Sequence, residues 1–319
     1  MIKLSVIAQK INGKIRGNPD KLIKKISDAN LLEDDSLFFI FKDIDLDKFF
    51  EVKNPTFVTS SEVSNLIPEN FDTILVSNVQ CSLALVSGMF VEKNFQLKSN
   101  NINISGINSD ILKNKSFSYG CNCVIEDNVN LGNNVTIKNN VVIHKGVQIG
   151  NNVFIDSGTV IGSEGFGNFR KEDGSWSHIH HLGKVVIGDN VYIGSNVNID
   201  RGTIGDTIIF NGVIIDNQVH IAHNVVIGEN TAIAANTAIA GSCHIGKRNM
   251  IGGMVGIIDH ITTCDDVTIS ATSSIISDIN RPGVYSGIMP TVEHSQWKRI
   301  ALLIKKIDKM FKKINFKKT

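Results

Sequence analysis

The sequence has almost no net charge and no long apolar run. Its 32 lysines and arginines are balanced by 31 aspartates and glutamates, so no overall basic field attracts nucleic acid or an anionic membrane. No segment approaches the roughly 18 consecutive apolar residues that a membrane-spanning helix needs. The first residues also lack the continuous apolar centre of a signal peptide. These absences predict a cytoplasmic protein that neither spans a membrane nor binds nucleic acid.

Cysteine is also scarce, with five residues in a chain of 319. An odd number of widely scattered cysteines favours reduced thiols over a disulfide framework. Cys121 and Cys123 form a close pair, but no second close pair completes a zinc site. We therefore expect no disulfide and no structural zinc bound by cysteines.

What the sequence does contain is a repeat of six residues. An aliphatic residue occupies the same position of each hexad in three stretches: Ile125, Leu131, Ile137, Ile143, Ile149, Ile155 and Ile161; Ile187, Ile193 and Ile199; and Ile209, Ile215, Ile221, Ile227, Ile233, Ile239, Ile245, Ile251 and Ile257. A period of six fits neither an amphipathic helix nor a simple alternating strand. Gly and Asn recur with the same period and supply turns. The pattern predicts a parallel β-helix in which each inward aliphatic side chain stacks on its equivalent three hexads later.

Two breaks interrupt this register. The larger, 163–184, carries aromatic and charged residues and three histidines, so it must loop outward from a corner of the coil. The smaller lies between Ile199 and Ile209. Loops of this kind commonly build binding sites beside a rigid wall.

The ends of the chain do not follow the hexad. Residues 1–100 contain both strand-like and helix-like segments, which predict a small α/β domain. The β-helix is expected to follow over 101–282. In the last part, 283–319, apolar residues recur at spacings of three and four, which predicts a C-terminal helical segment with coiled-coil spacing. Flat walls and such a helix together suggest a homotrimer.

One segment carries a resemblance to a known family. Residues 214–242, IIDNQVHIAHNVVIGENTAIAANTAIAGS, resemble the signature of the UDP-3-O-(3-hydroxyacyl)glucosamine N-acyltransferases. Shorter matches lie at VIGSEGFG (160–167), IDRGTIGDTII (199–209) and RPGVYSGIMP (281–290), and the order of domains also agrees. The resemblance implies left-handed coiling and hexapeptide-repeat acyltransferase activity in lipid A biosynthesis.

The family's reaction moves a 3-hydroxyacyl chain from acyl carrier protein to the 2-amine of UDP-3-O-acylglucosamine. The resemblance implies no cofactor and no metal, because the donor is the phosphopantetheinylated carrier protein. Nine basic residues against two acidic ones between Glu293 and Thr319 would suit an acidic carrier, although an ordinary solvated helix face is the alternative.

The resemblance also assigns roles to residues. It makes His223 the catalytic base, which suits an imidazole because that group titrates near neutrality. Asp216, seven residues earlier, is expected to orient His223. Gly241 is expected to present its N–H to the oxyanion. Two of these assignments have a plainer alternative: His223 as a polar wall residue and Gly241 as a corner glycine.

Four further residues are expected to bind substrate: His260, Phe39, Asn217 and His220. His260 would contact phosphates or phosphopantetheine. Phe39, with Phe49 as a weaker suggestion, would stack on uracil, although an apolar aromatic residue more often belongs to a core. His220 and His244 lie near the proposed base in the sequence, and a purely structural role is the alternative for both.

The remaining candidates concern the insertion, the acyl chain and rival functions. His178, His180 and His181 are interpreted as a solvated surface because no carboxylate stands at ligand spacing. The positions that line the acyl groove in relatives are occupied here by Thr272, Ser274, Ile276 and Ser277.

Three rival hypotheses for the function remain. They are a different hexapeptide-repeat transferase, such as a UDP-N-acetylglucosamine O-acyltransferase or a small-molecule acetyltransferase, a carbonic-anhydrase-type lyase, and a scaffold without activity.

Overall fold

The computed structural model describes residues 1–27, 32–41, 47–90, 117–287 and 291–315, without the side chains of 305 and 308–315. The chain divides into two compact units, Met1–Phe95 and Gln96–Thr319. The predicted boundary near residue 100 lies outside the described residues.

The first unit is a small α/β domain. Its elements are β1 (Ile2–Lys3), α1 (Leu4–Lys10), β2 (Lys14–Arg16), β3 (Leu22–Ile23), β4 (Lys25–Ile26), β5 (Ser36–Ile40), a 3-10 helix (Asp47–Glu51), β6 (Thr56–Thr59), α2 (Ser61–Ser64), β7 (Asp72–Leu75) and α3 (Val79–Phe90). Five strands form a sheet in the order β2, β7, β6, β5 and β4, parallel except for β2. Apolar clusters bury the strand β5 along its whole length, as expected for a covered parallel sheet.

The second unit consists mostly of very short strands. They are β8 (Ser118–Tyr119), β9 (Val124–Ile125), β10 (Asn130–Leu131), β11 (Thr136–Ile137), β12 (Val142–Ile143), β13 (Gln148–Ile149), β14 (Phe154–Ile155), β15 (Val160–Ser163), β16 (Asn168–Arg170), β17 (Trp176–His178), β18 (Val185–Ile187), β19 (Tyr192–Ile193), β20 (Asn198–Asp200), β21 (Thr207–Ile209), β22 (Ile214–Ile215), β23 (His220–Ile221), β24 (Val226–Ile227), β25 (Ala232–Ile233), β26 (Ala238–Ile239), β27 (His244–Ile245), β28 (Met250–Ile251), β29 (Gly256–Ile257), β30 (Val267–Ile269), β31 (Ser274–Ile275) and β32 (Gly283–Tyr285).

Most of these strands form three parallel sheets of six, eight and nine strands, and consecutive hexads fall on different sheets. Ile155 pairs with Ile137 on one side and Ile193 on the other, and all three side chains are fully buried. The repeated isoleucines and the valines two positions before them form one continuous core. The predicted fold class is therefore confirmed: a left-handed parallel β-helix with a small N-terminal α/β domain and a C-terminal helical segment.

The corners of the coils depend on residues with positive φ. Asn134, Asn140 and Asn224 adopt φ of 56°, 59° and 61°, a left-handed conformation that asparagine tolerates better than most residues. Side chains at the corners also cap backbone groups in the neighbouring coil: Asn133 N–H donates to Asn151 Oδ1 at 2.9 Å. The recurring asparagines therefore both turn the chain and join successive coils.

The insertion leaves the coil as predicted. After β15 the chain forms the antiparallel hairpin β16–β17, and the register resumes at β18. At the other end, β32 still pairs with β30, so the β-helix continues beyond the predicted limit at residue 282. The predicted terminal helix is present as α4 (His294–Asn315). None of the helices in the described residues is long and apolar enough to cross a membrane.

The buried isoleucine column predicts a strong effect of truncation. Ile193→Ala removes a fully buried side chain in the middle of the nine-stranded sheet, so it should lower the free energy of unfolding by about 2–5 kcal/mol through lost burial and a residual cavity. Thermal or urea unfolding measures the change. Ile204→Ala, at a side chain that is 85% exposed, is the matched control, and equal effects of the two variants would contradict the assigned core.

Candidate active site

A cavity of about 690 Å³ opens along the outer face of the eight-stranded sheet. Its floor is a column of residues that each precede a buried isoleucine: His220, Ala238, Gly256 and Ser274 stand in register on four successive strands. Three of the four side chains are very small, which creates the furrow. Its volume falls within the range of small-molecule sites.

His223 lies at the corner after β23 and lines this cavity. Its Nδ1 is 3.1 Å from Asn224 Oδ1 and 3.3 Å from the Thr203 hydroxyl. Within the described residues, His223 Nε2 has no hydrogen-bond partner. Nε2 is therefore the nitrogen available to a substrate.

Asn224 determines which tautomer of His223 is favoured. Its Nδ2 donates to the Gly205 carbonyl at 3.1 Å, and its Oδ1 accepts from Thr203 N–H at 2.9 Å, so the orientation of the amide is fixed. An amide oxygen beside Nδ1 requires that nitrogen to carry the proton. Neutral His223 then presents the lone pair of Nε2 to the cavity, the state that a general base needs.

The predicted contact between Asp216 and His223 is not formed, and this assignment is corrected. The Asp216 carboxylate instead accepts from the backbone N–H groups of Asn217 at 2.7 Å and Ala235 at 3.2 Å. The reason is the geometry of the coil: Asp216 follows a strand of the nine-stranded sheet, whereas His223 follows a strand of the eight-stranded sheet. Seven residues along the chain therefore separate two different corners.

Gly241 lies one coil beyond His223 and also lines the cavity. A Cβ at this position would stand 2.6 Å from Cε1 and 2.7 Å from Nε2 of His223, so only glycine leaves room for the ring. In the described ranges no hydrogen bond uses the Gly241 N–H. The structure therefore brings an unused backbone donor beside the imidazole.

Asp200 is a site residue that sequence reasoning missed. Its carboxylate is nearly buried, accepts from the Ser163 hydroxyl at 2.8 Å, and lies 3.6 Å from His220 Nε2. Burial raises the pKa of the Asp200 carboxyl, whereas the Ser163 hydrogen bond and positive charge on His220 or His223 act in the opposite direction. Pairing Ile199 with Ile221 by register would have placed Asp200 beside these histidines.

The predicted substrate-binding residues divide into two groups. His220 and His260 line the cavity, as do Ser274 and Ile276 of the predicted acyl groove. Asn217 does not: its Oδ1 caps Ser195 N–H at 2.7 Å at a different corner of the coil. Its assignment is corrected to a structural capping role. His244 lines a separate groove on the six-stranded sheet.

The aromatic residues predicted to stack on uracil are buried. Phe39 is 9% exposed in the core of the N-terminal unit, and Phe49 is completely buried. The Phe49 ring packs edge-on against Phe38 and Phe57, with ring centroids 5.0 and 5.1 Å away. Both assignments are corrected to core residues, because neither ring has a free face for a nucleobase. Phe41 and Phe50 are the exposed aromatic residues nearby.

The insertion approaches the cavity more closely than a solvated surface would. His181 is only 3% exposed, and its ring centroid lies 5.2 Å from that of His223. A Cβ at Gly165 would stand 3.0 Å from Cδ2 of His223, and Phe166 lines the cavity. The interpretation of all three insertion histidines as solvent-facing is thus wrong for His181.

Together, fold and site define a hexapeptide-repeat β-helix with a histidine-centred cavity on one wall. The family model described as bacterial transferase hexapeptide (six repeats) matches residues 128–163 and 206–241. The chain is 39% identical over 134 residues to a UDP-3-O-acylglucosamine N-acyltransferase of Bordetella avium. That match covers 42% of this chain and 37% of the relative. Both matches agree with the family resemblance noted in the sequence.

Solved structures resemble the β-helix. A UDP-N-acetylglucosamine acyltransferase superposes with a TM-score of 0.50 at 25% identity, covering 65% of this chain and 75% of the other. The UDP-N-acetylglucosamine O-acyltransferase of Moraxella catarrhalis gives a TM-score of 0.49 at 24% identity, covering 66% and 83%. The first of these supports the β-helical fold.

The raised pKa of Asp200 predicts a pH-dependent effect of Asp200→Asn. The unfolded chain ionises this carboxyl at a lower pH than the folded chain does, so the charge costs stability as pH rises through that interval. Asparagine keeps the acceptor for Ser163 but removes the charge. We expect the Tm at pH 7 to rise and the gain to shrink towards pH 4, because the protonated carboxyl carries no charge.

The control is Asp127→Asn, at an exposed position on the same β-helix. Differential scanning fluorimetry between pH 4 and pH 8 compares both variants with the parent. A lower Tm for Asp200→Asn at pH 7, or an equal change for both variants, would show that the Asp200 charge does not cost stability.

Proposed function

We propose that the protein is an N-acyltransferase. It transfers a 3-hydroxyacyl chain from acyl carrier protein to the 2-amine of UDP-3-O-acylglucosamine, a step of lipid A biosynthesis. The proposal rests on the position of His223 Nε2 and the Gly241 N–H, which lie beside each other at one end of the furrow of small residues. Within the described residues, neither group has a hydrogen-bond partner. The named relative in Bordetella avium supports the choice of substrates.

The proposed reaction needs one base and one oxyanion donor. The substrate amine attacks the thioester carbonyl carbon while His223 Nε2 accepts the amine proton. The carbonyl oxygen becomes an oxyanion that the Gly241 N–H stabilises. The C–S bond then breaks, an amide remains, and the carrier thiolate leaves with the proton from His223. No covalent enzyme intermediate is required.

Asn224 and Asp200 complete the electrostatics in this proposal. Asn224 holds Nδ1–H, so it keeps the base in the right tautomer before the proton transfer. Asp200 is close enough to His220 and His223 for their positive charge to lower its pKa, and an ionised Asp200 would in turn stabilise the imidazolium that forms. A buried carboxylate with a raised pKa is typical of a functional position.

The furrow and helix α4 would bind the acyl chain and the carrier protein. The column of Ala238, Gly256 and Ser274 would receive the acyl chain, and His260 at the rim would contact phosphate or phosphopantetheine. Exposed Lys298, Arg299 and Lys306 on α4 would attract an acidic carrier protein. Five free cysteines fit a cytoplasmic location. The proposed reaction needs no cofactor.

The first test replaces the base. His223→Ala should lower kcat by about 10²–10⁴-fold with little change in Tm, because general-base catalysis contributes a factor of that size. Mass analysis of the product from UDP-3-O-acylglucosamine and a panel of acyl carrier protein thioesters gives the reaction and the chain length. His244→Ala is the control, since His244 lies outside this cavity. Near-parent activity of His223→Ala would refute the mechanism.

The same assay with UDP-N-acetylglucosamine separates the N-acyltransferase from the O-acyltransferase alternative. A second comparison tests the revised orientation of the base. Asn224→Ala should reduce kcat more than Asp216→Ala, because Asn224 touches His223 and Asp216 does not. The reverse order would restore the role first assigned to Asp216.

We further propose a homotrimer. A column of outward side chains on the nine-stranded sheet is apolar and exposed: Tyr192, Ile214 and Met250 stand in register with Phe154 and Ala232. The Phe154 and Tyr192 rings stack with centroids 5.0 Å apart. Helix α4 also exposes apolar residues, including Trp297 and Leu303. Contiguous apolar surface of this kind is typical of association sites.

Ile214→Asp combined with Met250→Asp should shift the protein from trimer to monomer, because the charges would be buried at the association surface. Light scattering after size exclusion measures the mass. Phe210→Asp, an exposed aromatic position beside the six-stranded sheet, is the control. An unchanged mass for the double variant would remove this wall from the interface.

A further inference from the structure

The outward insertion contains a cluster of possible metal ligands. Glu164 follows β15, His178 ends β17, and His181 lies three residues further on. Hairpin β16–β17 folds these separated positions together, so that one ligand atom from each residue lies within 4.8 Å of the others. His178 Nε2 and Glu164 Oε2 are in direct contact.

His181 gives the independent observation that points to a ligand. It is more than nine-tenths buried, with an exposed fraction of 3%, and its Nδ1 lies 3.0 Å from the Ile179 carbonyl oxygen. Nδ1 therefore carries the proton, and Nε2 keeps a lone pair. Across the described chain, no hydrogen-bond partner reaches this Nε2. A buried acceptor without a partner costs free energy, which a bound cation would recover.

The surroundings of both histidines match those of metal ligands. A metal-bound histidine usually donates its other ring N–H to a carbonyl or amide oxygen. His181 does so to Ile179, and His178 Nδ1 stands 3.4 Å from Asn168 Oδ1.

We propose that Glu164, His178 and His181 bind one divalent transition-metal ion of the zinc class. Two imidazoles and a carboxylate are a ligand set for Zn²⁺ or Co²⁺, with water in the open position. This replaces the expectation of no metal drawn from the sequence. The site is separate from the catalytic cavity but adjoins it, since His181 lies against His223 and against Gly165 and Gly167. A bound ion would fix the insertion against the cavity rim.

Titration of the untagged protein tests the proposal, after treatment with a chelator that is then removed. Competition with a chromophoric chelator should give one Zn²⁺ per chain, and Co²⁺ should produce visible d–d absorption. His178→Ala and Glu164→Gln should each weaken Zn²⁺ affinity by more than about 100-fold, because even an outer partner of a ligand is worth about 10–100-fold. Circular dichroism checks that both variants keep the fold.

The matched control is His180→Ala. His180 lies between the two histidine ligands, but its side chain is 78% exposed and its Nδ1 is 3.7 Å from Glu164. This variant should bind Zn²⁺ like the parent. Absence of stoichiometric binding to the parent would overturn the site and leave a simple Glu164–His178 ion pair. Binding that survives both ligand variants would place the ion elsewhere and overturn the site as well. Neither outcome bears on acyl transfer, because the readout is metal binding.

Discussion

The stacking of each interior isoleucine on the isoleucine of the next coil governs the rest of this structure. A strand of two residues cannot bury its side chain alone, so it depends on hydrogen bonds to the strands above and below it in the same sheet. This pairing also determines which outward side chains line up on the outer wall of the β-helix. His220, Ala238, Gly256 and Ser274 form one column only because each precedes a stacked isoleucine.

The hexad was sufficient to predict the β-helix, its outward insertion and the separate ends, because it reports directly which side chain faces inward. It also supports His223 and Gly241 as neighbours, since equivalent positions of adjacent coils lie side by side. Asp216 lies only seven residues before His223 but is not beside it, because closeness along the chain is not closeness in space. In a three-sided coil, seven residues lead to the next corner, whereas the neighbours of His223 include Asn224, Thr203 and Gly241.

Other residues could not be placed from spacing alone. Asp200 reaches the site because the second break lengthens one coil, so that Ile199 pairs with Ile221 instead of a residue 18 positions away. Glu164 and His178 meet only because a hairpin closes between them. Phe39 lies on a strand that is buried along its whole length, and an apolar ring gives no signal in the sequence that separates a core position from a nucleobase platform.

The hairpin that leaves the coil after β15 has a wider consequence. The isoleucine columns continue across it without a shift, from Ile149 to Ile187 and from Ile155 to Ile193. The coils therefore carry the stacking, and the hairpin is a module inserted between two of them without a shift of the isoleucine columns. Evolution can lengthen, shorten or recompose such a module without altering the scaffold. Selectivity around the cavity can thus diversify independently of the architecture that supports it.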